Sequence, residues 1–497
     1  MLVNNSATVI TLGGYLLLML SIGVYASRRT NNAADYFLGG RSLGPWPSAL
    51  SAGASDMSGW LLLGLPGYAY LAGIEAFWLA GGLLLGTYCN WLFLAKRLRV
   101  YSVCANESLT LPEFFANRFD GDNKHLRLIS SVFIVLFYLF YTSAGLVAGG
   151  KLFETVFGMD YQWAVILGTA FVVGYTFLGG YLAVSWTDLV QGLLMAAALV
   201  YVPVVALQAV GGAGEAVHLL ETLNPHFLTL WHDAKGAPLS AIAVISLVGW
   251  GLGYFGQPHI LARFKGIRSA EDMPMARRIA VGWTLLSMLG ALGVGLIGLV
   301  YVETHMPAGI DDAEKIFMVM VDALFHPLIA GILLAAILAA IMSTADSQLL
   351  VSSSSFAEDI YHAVLRRDAG EKEVVITARL AVLGVSLVAL ALAMNPDSSV
   401  LGLVAYAWAG FGAAFGPALL LSLYWKRMNR FGALAGIIVG GATVVIWKQL
   451  EGGWFDLYEL VPGFFAAALA VIVVSLLTRA PSAATQQTFD EVEQLLQ

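Results

Sequence analysis

Charge is what this sequence has least of. Only 12% of its 497 residues are Asp, Glu, Lys or Arg, about half the roughly 25% that soluble domains carry. With 59% hydrophobic residues and a mean hydropathy of +0.77, the chain is composed for lipid, and its net charge of −7 says little about partners. Cysteine is nearly absent. Cys89 and Cys104 alone exclude a disulfide framework and a cysteine-built metal site. There is no basic domain and no interleaving of aromatic with basic residues, so no nucleic-acid partner is expected. No glycine-rich phosphate loop, zinc-ligand pair or nucleophile with its base stands out, so an enzyme is not expected. Work done by such a chain must draw on an ion gradient rather than on ATP. Met1 to Thr8 holds no basic residue ahead of the first apolar run, so no signal peptide is expected. Nothing marks a soluble domain or an obligatory protein partner.

What the sequence does have is apolar runs of about 20 residues, the length that crosses a bilayer. Thirteen are expected, near 7–27, 43–70, 74–95, 128–150, 161–180, 188–209, 239–261, 276–302, 327–355, 374–394, 399–424, 431–449 and 460–478. The third, fifth and last are plain; the second, seventh and ninth are polar enough to be functional. Of the 26 Lys and Arg, 22 fall in alternate loops, from Arg28 and Arg29 to Arg479, and only Lys151, Lys235, Lys315 and Lys448 fall on the other face. The basic face belongs in the cytoplasm. An odd number of spans then puts the N-terminus outside and the C-terminus in the cytoplasm. The outer loop 303–325 contains Asp311 to Met320, which reads as a short amphipathic helix, and the tail from Ala480 reads as polar and loose.

The second run holds Ser51-Ala-Gly-Ala-Ser-Asp-Met-Ser-Gly-Trp60. A carboxylate at bilayer depth costs about 2.5–3.5 kcal/mol on insertion scales, so Asp56 must face protein, water or an ion. Glycine and serine beside it let the backbone leave helical geometry and offer carbonyls, which a membrane tolerates only around a cavity. A helix–helix contact with the acid paired to Arg or Lys is the alternative, and no basic residue lies in the run itself.

A second interruption, Gly249-Trp-Gly-Leu-Gly-Tyr-Phe-Gly-Gln-Pro258, lies five spans later. Four glycines and a proline cannot make a straight helix, and the odd offset reverses its topology. Paired broken helices point to an inverted repeat with a midplane site. Trp250 and Tyr254 share a face if any helix persists there, either toward a solute or in aromatic packing. Gln257 offers an amide to solute or caps freed backbone. In the ninth span, Ala340, Ser343 and Thr344 stand at i, i+3 and i+4, placing a carbonyl and two hydroxyls on one face. Hydroxyls in helices often bond back to their own turn, but opposite the gap at Ala54–Met57 they suit a hard monovalent cation. Asp188 reads as a helix cap or a cation vestibule, Asp346 as tuning the site or facing cytoplasmic water, and Tyr141 as within reach of a central cavity.

These stretches resemble the sodium/solute symporter family nearly end to end. The likeness rests on Tyr36 to Gly44, Ser51 to Trp60, Ala183 to Asp188, Gly249 to Arg263 and Ala405 to Gly416; the second and fourth resemble its proline branch. The resemblance implies an all-α integral membrane protein of the leucine-transporter type, a 5+5 inverted repeat with one extra N-terminal and two extra C-terminal helices. Residues 1–40 would be the extra first helix and its loop, 41–210 the first repeat, 211–425 the second repeat, and 426–497 the last two helices and a short tail. It implies sodium held by the carbonyls of Ala54, Met57 and Ala340 and the hydroxyls of Ser343 and Thr344, with Asp56 supporting sodium coupling. L-proline would lie near Ser58, Gly59, Trp60, Tyr141, Trp250, Tyr254 and Pro258. The setting implied is the bacterial cytoplasmic (inner) membrane, and the activity sodium-coupled uptake by alternating access. A symporter for another small solute, proton coupling through Asp56, or a membrane sensor on the same fold are the alternatives. A sensor calls for a soluble output domain, and a channel for a continuous polar stripe.

Overall fold

The computed structural model describes residues 6–27, 38, 41–119, 124–178 and 181–497. Arg28 and Arg29, and Tyr36, Phe37, Gly39 and Gly40 of the first motif, lie outside the described residues. The described chain is helical, with only isolated bridges such as Leu43 with Ile267 in place of strands.

Helix occupies each of the thirteen apolar stretches. Among the described residues, ten helices are long and apolar enough to cross a membrane, or eleven when the bent pair Ala241–Gly256 and Pro258–Gly266 is taken as one span. That number differs from thirteen for local reasons. The second stretch is divided into Pro45–Asp56 and the helix beginning at Trp60, and Tyr161–Gly174 is apolar but short. Trp60–Cys104 runs 45 residues as consecutive helical segments, about 68 Å if straight at 1.5 Å per residue and twice a hydrocarbon core. Gly73 interrupts it between Leu65–Ala72 and Ala76–Cys89. Its φ of +72 suits glycine alone, and a Cβ there would meet the Phe227 carbonyl at 2.6 Å.

Burial sorts the bundle. The spanning windows of Pro327–Leu365 and Val400–Tyr424 are 83% and 78% buried, against 28% for Ser6–Tyr25 and 39% for Leu460–Leu477. The first pair forms the centre, and the second pair offers Leu17, Leu469 and Leu477 outward, as lipid-facing helices do. Pro45–Asp56 packs on Tyr181–Ala209, Met273–His305, Pro258–Gly266 and Pro327–Ser354, so the first interruption lies inside the core. The Trp250–Gly256 segment is a 3-10 turn that leads into Pro258–Gly266 with a 47° bend. Glycine permits its approach to the third span, where a Cβ on Gly86 would fall 2.3 Å from the Gly251 carbonyl.

The expected amphipathic helix of the loop after Glu303 is present as Ile316–Leu324, following a short turn at Ala313–Lys315. Lys151 holds it through Asp312 at 2.8 Å and Glu314 at 2.7 Å. Glu314 also accepts the backbone N–H groups of Val400 and Leu401, both at 3.1 Å, at the positive end of a helix.

The tail departs from expectation. Residues Ala483–Leu496 form a helix, because Phe489, Val492 and Leu496 recur at helical spacing. Phe489 and Val492 are buried, Glu493 pairs with Arg97 at 2.5 Å and Asp490 with Lys426 at 2.7 Å. Charges that read as a solvated tail are the rim of a docked face.

Candidate functional site

The helix Pro45–Asp56 stops because Met57 leaves helical geometry, at φ −83 and ψ 64, while its N–H still bonds to the Gly53 carbonyl at 2.9 Å. The chain re-enters helix as a π turn, Trp60–Gly64, a form common at functional positions. The three residues between are closed by short local bonds, Ser58 N–H to the Asp56 carbonyl at 3.0 Å and Leu61 N–H to the Ser58 carbonyl at 3.0 Å.

Against the upstream side of this break lies the ninth-span face. Ser343 Oγ donates to the Ala54 carbonyl at 2.8 Å, Thr344 Oγ1 reaches the same oxygen at 3.4 Å, and Ser343 Oγ is 3.2 Å from the Ala340 carbonyl. Four of the five expected sodium ligands are therefore brought together, all buried. The fifth, Met57, stands at the helix end, with its backbone turned away from the helix that its N–H still closes. The donor set is all oxygen and formally neutral, which suits a monovalent hard cation better than a divalent one. The ion would take the hydroxyl lone pairs and the carbonyls, and the hydroxyl hydrogens would turn away.

Asp56 faces elsewhere. Its Oδ2 accepts from Tyr254 Oη at 2.6 Å, while its backbone carbonyl accepts from Tyr141 Oη at 3.2 Å and from Trp60 Nε1 at 3.3 Å. Three of the expected solute residues thus converge on Asp56. Ser58 Oγ receives the Trp60 N–H at 3.4 Å, and Gly59 abuts span four so closely that a Cβ would lie 2.7 Å from that of Ala148. Pro258 opens the helix Pro258–Gly266, where its missing N–H costs nothing. Trp250 is set apart from this group. Its ring stacks on Tyr458 at 5.2 Å and its carbonyl accepts from Trp408 Nε1 at 2.8 Å, whereas Trp408 lies edge-on to Tyr254 at 4.9 Å. Gln257 donates to the Gly253 and Trp408 carbonyls at 3.0 and 3.2 Å, so it caps freed backbone.

Asp188 is neither a helix cap nor a vestibule. It lies in the third turn of Tyr181–Ala209, fully buried. Its Oδ2 accepts from Ser51 Oγ at 2.6 Å and from Arg263 at 3.1 Å. Arg263 also bonds to Ser51 Oγ, the His259 carbonyl and Ser347 Oγ, so this ion pair joins the second, sixth, seventh and ninth spans directly beside the expected sodium ligands. Asp346 is buried and does not face water; its Oδ1 accepts from Ser347 Oγ at 3.3 Å. Sequence reasoning missed Arg263 as a site residue, although a cation five residues past Pro258 in an apolar helix is signal enough. It also passed over the third span as plain. Thr87 and Asn90, three residues apart and thus on one face, sit against Asp56 and Tyr254.

Comparison with known proteins follows the same lines. Residues 36–440 match the model of the sodium:solute symporter family. The chain is 50% identical to the osmoregulated proline transporter OpuE of Bacillus subtilis over 489 residues, covering 98% of each. It is 52% identical to the high-affinity proline transporter PutP of the same organism, over 96% of this chain and 99% of that one. With the sodium/proline symporter of Escherichia coli it shares 51% identity, over 98% and 97%. In three dimensions it superposes on a Na+-coupled sialic acid symporter in a substrate-bound, outward-open state with a TM-score of 0.79 at 22% identity, covering 96% of this chain and 99% of that one. A closed, ligand-bound structure of Mhp1, a nucleobase-cation-symport-1 family transporter, gives 0.53 at 15% identity, covering 93% and 98%. These likenesses show the leucine-transporter-type fold. Together with the family model and the near full-length identities, they place the chain in the sodium:solute symporter family.

Proposed function

We propose that this protein is a secondary active transporter that takes up L-proline together with sodium by alternating access. It is a membrane transporter and not an enzyme. The observation that carries the reading is the bond from Ser343 Oγ to the Ala54 carbonyl across the first helix break. It sets two hydroxyls and two carbonyls in one place, in a chain about half identical to proteins named for sodium and proline. Sodium sits with Ala54, Met57, Ala340, Ser343 and Thr344. The solute's carboxylate finds freed N–H groups at Ser58 to Trp60, and its apolar ring lies against Trp60, Tyr141 and Tyr254, with Trp250 and Pro258 bounding the second break.

Spans two to six and seven to eleven, residues 41–210 and 211–425, form the two inverted repeats. Residues 1–40 supply one extra helix and 426–497 two more. Ion binding holds the ninth span against the first break, and the solute draws in the second. The protein lies in the bacterial cytoplasmic membrane with its N-terminus outside and C-terminus in the cytoplasm, in keeping with the 22 of 26 Lys and Arg on one face.

Reconstituted protein tests this directly. Labelled L-proline should accumulate against its gradient when sodium is imposed inwardly, and not when an equal proton gradient replaces it. Accumulation driven by protons alone would transfer the coupling to Asp56, and excess unlabelled proline failing to compete would remove proline as the solute.

A further inference from the structure

Between the third, seventh and thirteenth spans a crevice of about 460 Å³ opens on the outside of the bundle, within the size range of small-molecule sites. Its floor is the second helix break, where Gly249 and Gly251 are buried. Its rim is Leu85, Ile245 and Phe465, all exposed. Glycine makes the trough. The third and seventh spans touch backbone to backbone, a Cβ on Gly82 falling 2.5 Å from the Val248 carbonyl, so no side chain fills the space beside that seam.

The lining selects the occupant. Apart from the Cys89 thiol, only glycine and hydrocarbon side chains face the crevice among the described residues. An ion or a polar solute would lose hydrogen bonds on entering. The walls belong to membrane-crossing helices, among them Leu460–Leu477 and the bent pair that begins at Ala241, so the rim meets lipid. From Val244 to Phe255 the crevice extends roughly 17 Å at 1.5 Å per residue, about half of a 30 Å hydrocarbon core and so one leaflet deep. Just ahead of Val461 comes the turn Gly453–Asp456, which packs on Ala241–Gly249. There Trp454 is 78% exposed and Phe455 stands edge-on to Trp447 at 4.9 Å. Exposed tryptophan at the end of a membrane-crossing helix marks the headgroup level. An apolar trough one leaflet deep, with its mouth at that level, fits a single acyl chain.

We propose that this crevice is a lipid site: it seats one straight acyl chain of a bilayer phospholipid, which steadies the second helix break from behind. The break also carries Tyr254, which reaches across to the first break at 2.6 Å, and Trp250, whose ring stacks on Tyr458 at 5.2 Å. A filled crevice supports the seventh span in its bent form, and an empty one leaves the glycine seam without contacts on that side. Chain occupancy stands on the crevice alone. Its effect on solute binding rests on L-proline being the solute.

The test uses the purified full-length protein in nanodiscs of dioleoylphosphatidylcholine or of diphytanoylphosphatidylcholine, whose methyl branches hinder entry to a narrow trough. A trace of phosphatidylcholine with a diazirine at the end of one straight chain is photolysed, and the adducts are mapped by mass spectrometry. Label at Leu252 and Cys89 should exceed label at Leu380 and Leu387, which are exposed away from the crevice. Labelled L-proline should bind at least ~5-fold more weakly in the branched lipid, the low end of couplings between sites. Ile245→Trp fills the trough from its rim, so it should abolish the adducts at Leu252 and Cys89 and remove the lipid dependence of proline binding. Leu85→Trp fills it from the third span and carries the test should Ile245→Trp fail to fold. Crevice label no denser than that at Leu380, or a lipid dependence that survives both fillings, would overturn the proposal. So would a stable dimer with an unlabelled crevice, which would give the trough to a second copy of the chain. A wild-type protein that binds no L-proline would instead remove the solute assignment, and the adducts would then decide the crevice alone.

Discussion

Ser343 and Ala54 are 289 residues apart in the chain, and the hydroxyl of one donates to the carbonyl of the other at 2.8 Å. The contact is possible because the first helix ends two residues after Ala54 and because the ninth span presents small residues, Ala339 and Ala340, at the crossing. A continuous helix would consume the Ala54 carbonyl in its own ladder and leave the hydroxyls to back-bond within theirs.

Ser343→Ala and Thr344→Ala should each raise the sodium concentration for half-maximal uptake. Losing one ligand dipole to a charged partner, at about 1.5–3 kcal/mol, corresponds to roughly a tenfold to hundredfold shift. Expression and thermal stability should change little, since Ser343→Ala loses only a hydroxyl and Thr344→Ala a hydroxyl and one methyl. Sodium titrations of uptake at matched protein levels check this, and normal sodium dependence in both variants would remove the site.

The two aromatics of the second break should separate. Tyr254→Phe removes only the hydroxyl that donates to Asp56 at 2.6 Å, so it should weaken solute and sodium coupling while the protein stays folded. Trp250→Ala strips a ring stacked on Tyr458 and should cost about 3–5 kcal/mol of stability, lowering every measured binding together. Thermal unfolding beside solute binding separates the cases. A Trp250→Ala protein with unchanged melting temperature and lost solute binding would return Trp250 to the pocket.

Both breaks were legible because glycine, serine and an acid inside an apolar run contradict the only two backbones a bilayer accepts. The face of Ala340, Ser343 and Thr344 was legible because helical periodicity is local. Which way Asp56 points was not, because rotation about a broken helix depends on what the third and eighth spans offer. Thr87 and Asn90 are ordinary in a helix until Asp56 faces them. The pairing of Asp188 with Arg263 joins residues 75 apart, and no local pattern encodes it. The tail helix was missed for a related reason: its apolar face, Phe489 and Val492, has meaning only beside Tyr101 and Arg118.

That tail should contribute through its ring more than through its charges. Glu493→Ala breaks a pair whose side chains are 19% and 38% exposed and should cost no more than about 1 kcal/mol. Phe489→Ala empties a buried site and should cost about 3 kcal/mol. Differential scanning fluorimetry of the purified protein measures both. Equal, negligible shifts would mean that the helix is not docked in solution.

Asp56 separates charge from shape. Asp56→Glu keeps the charge one methylene further out, whereas Asp56→Asn keeps the shape and still accepts from Tyr254. If the carboxylate serves a cation, the Glu variant should retain partial sodium-coupled uptake and the Asn variant almost none. A carboxylate that only receives the Tyr254 hydroxyl predicts the reverse order. Sodium titrations of uptake at matched expression decide, and Asn outperforming Glu ends the charge role.

The ion pair of Asp188 with Arg263 offers the sharpest separation of folding from function. Both side chains are 0% exposed, and Arg263 spreads its donors over Ser51, the His259 carbonyl, Asp188 and Ser347. Removing one partner strands a buried charge, at about 3–5 kcal/mol. Arg263→Met should therefore lower stability steeply, and Asp188→Asn by a similar amount. Joined in one protein they remove both charges of the pair, so the double variant should recover most of the stability, a coupling that a double-mutant cycle reads directly. Transport should not return with it. Ser51 stands three residues before Ala54, and Ser347, bonded to the Ser343 carbonyl at 2.7 Å, one turn after Ser343, so the guanidinium holds the two segments of the proposed sodium site in register. The double variant should melt near the wild type yet need roughly tenfold more sodium, about 1.4 kcal/mol of lost preorganisation. Recovery of stability and sodium dependence together would show that the pair is structural only.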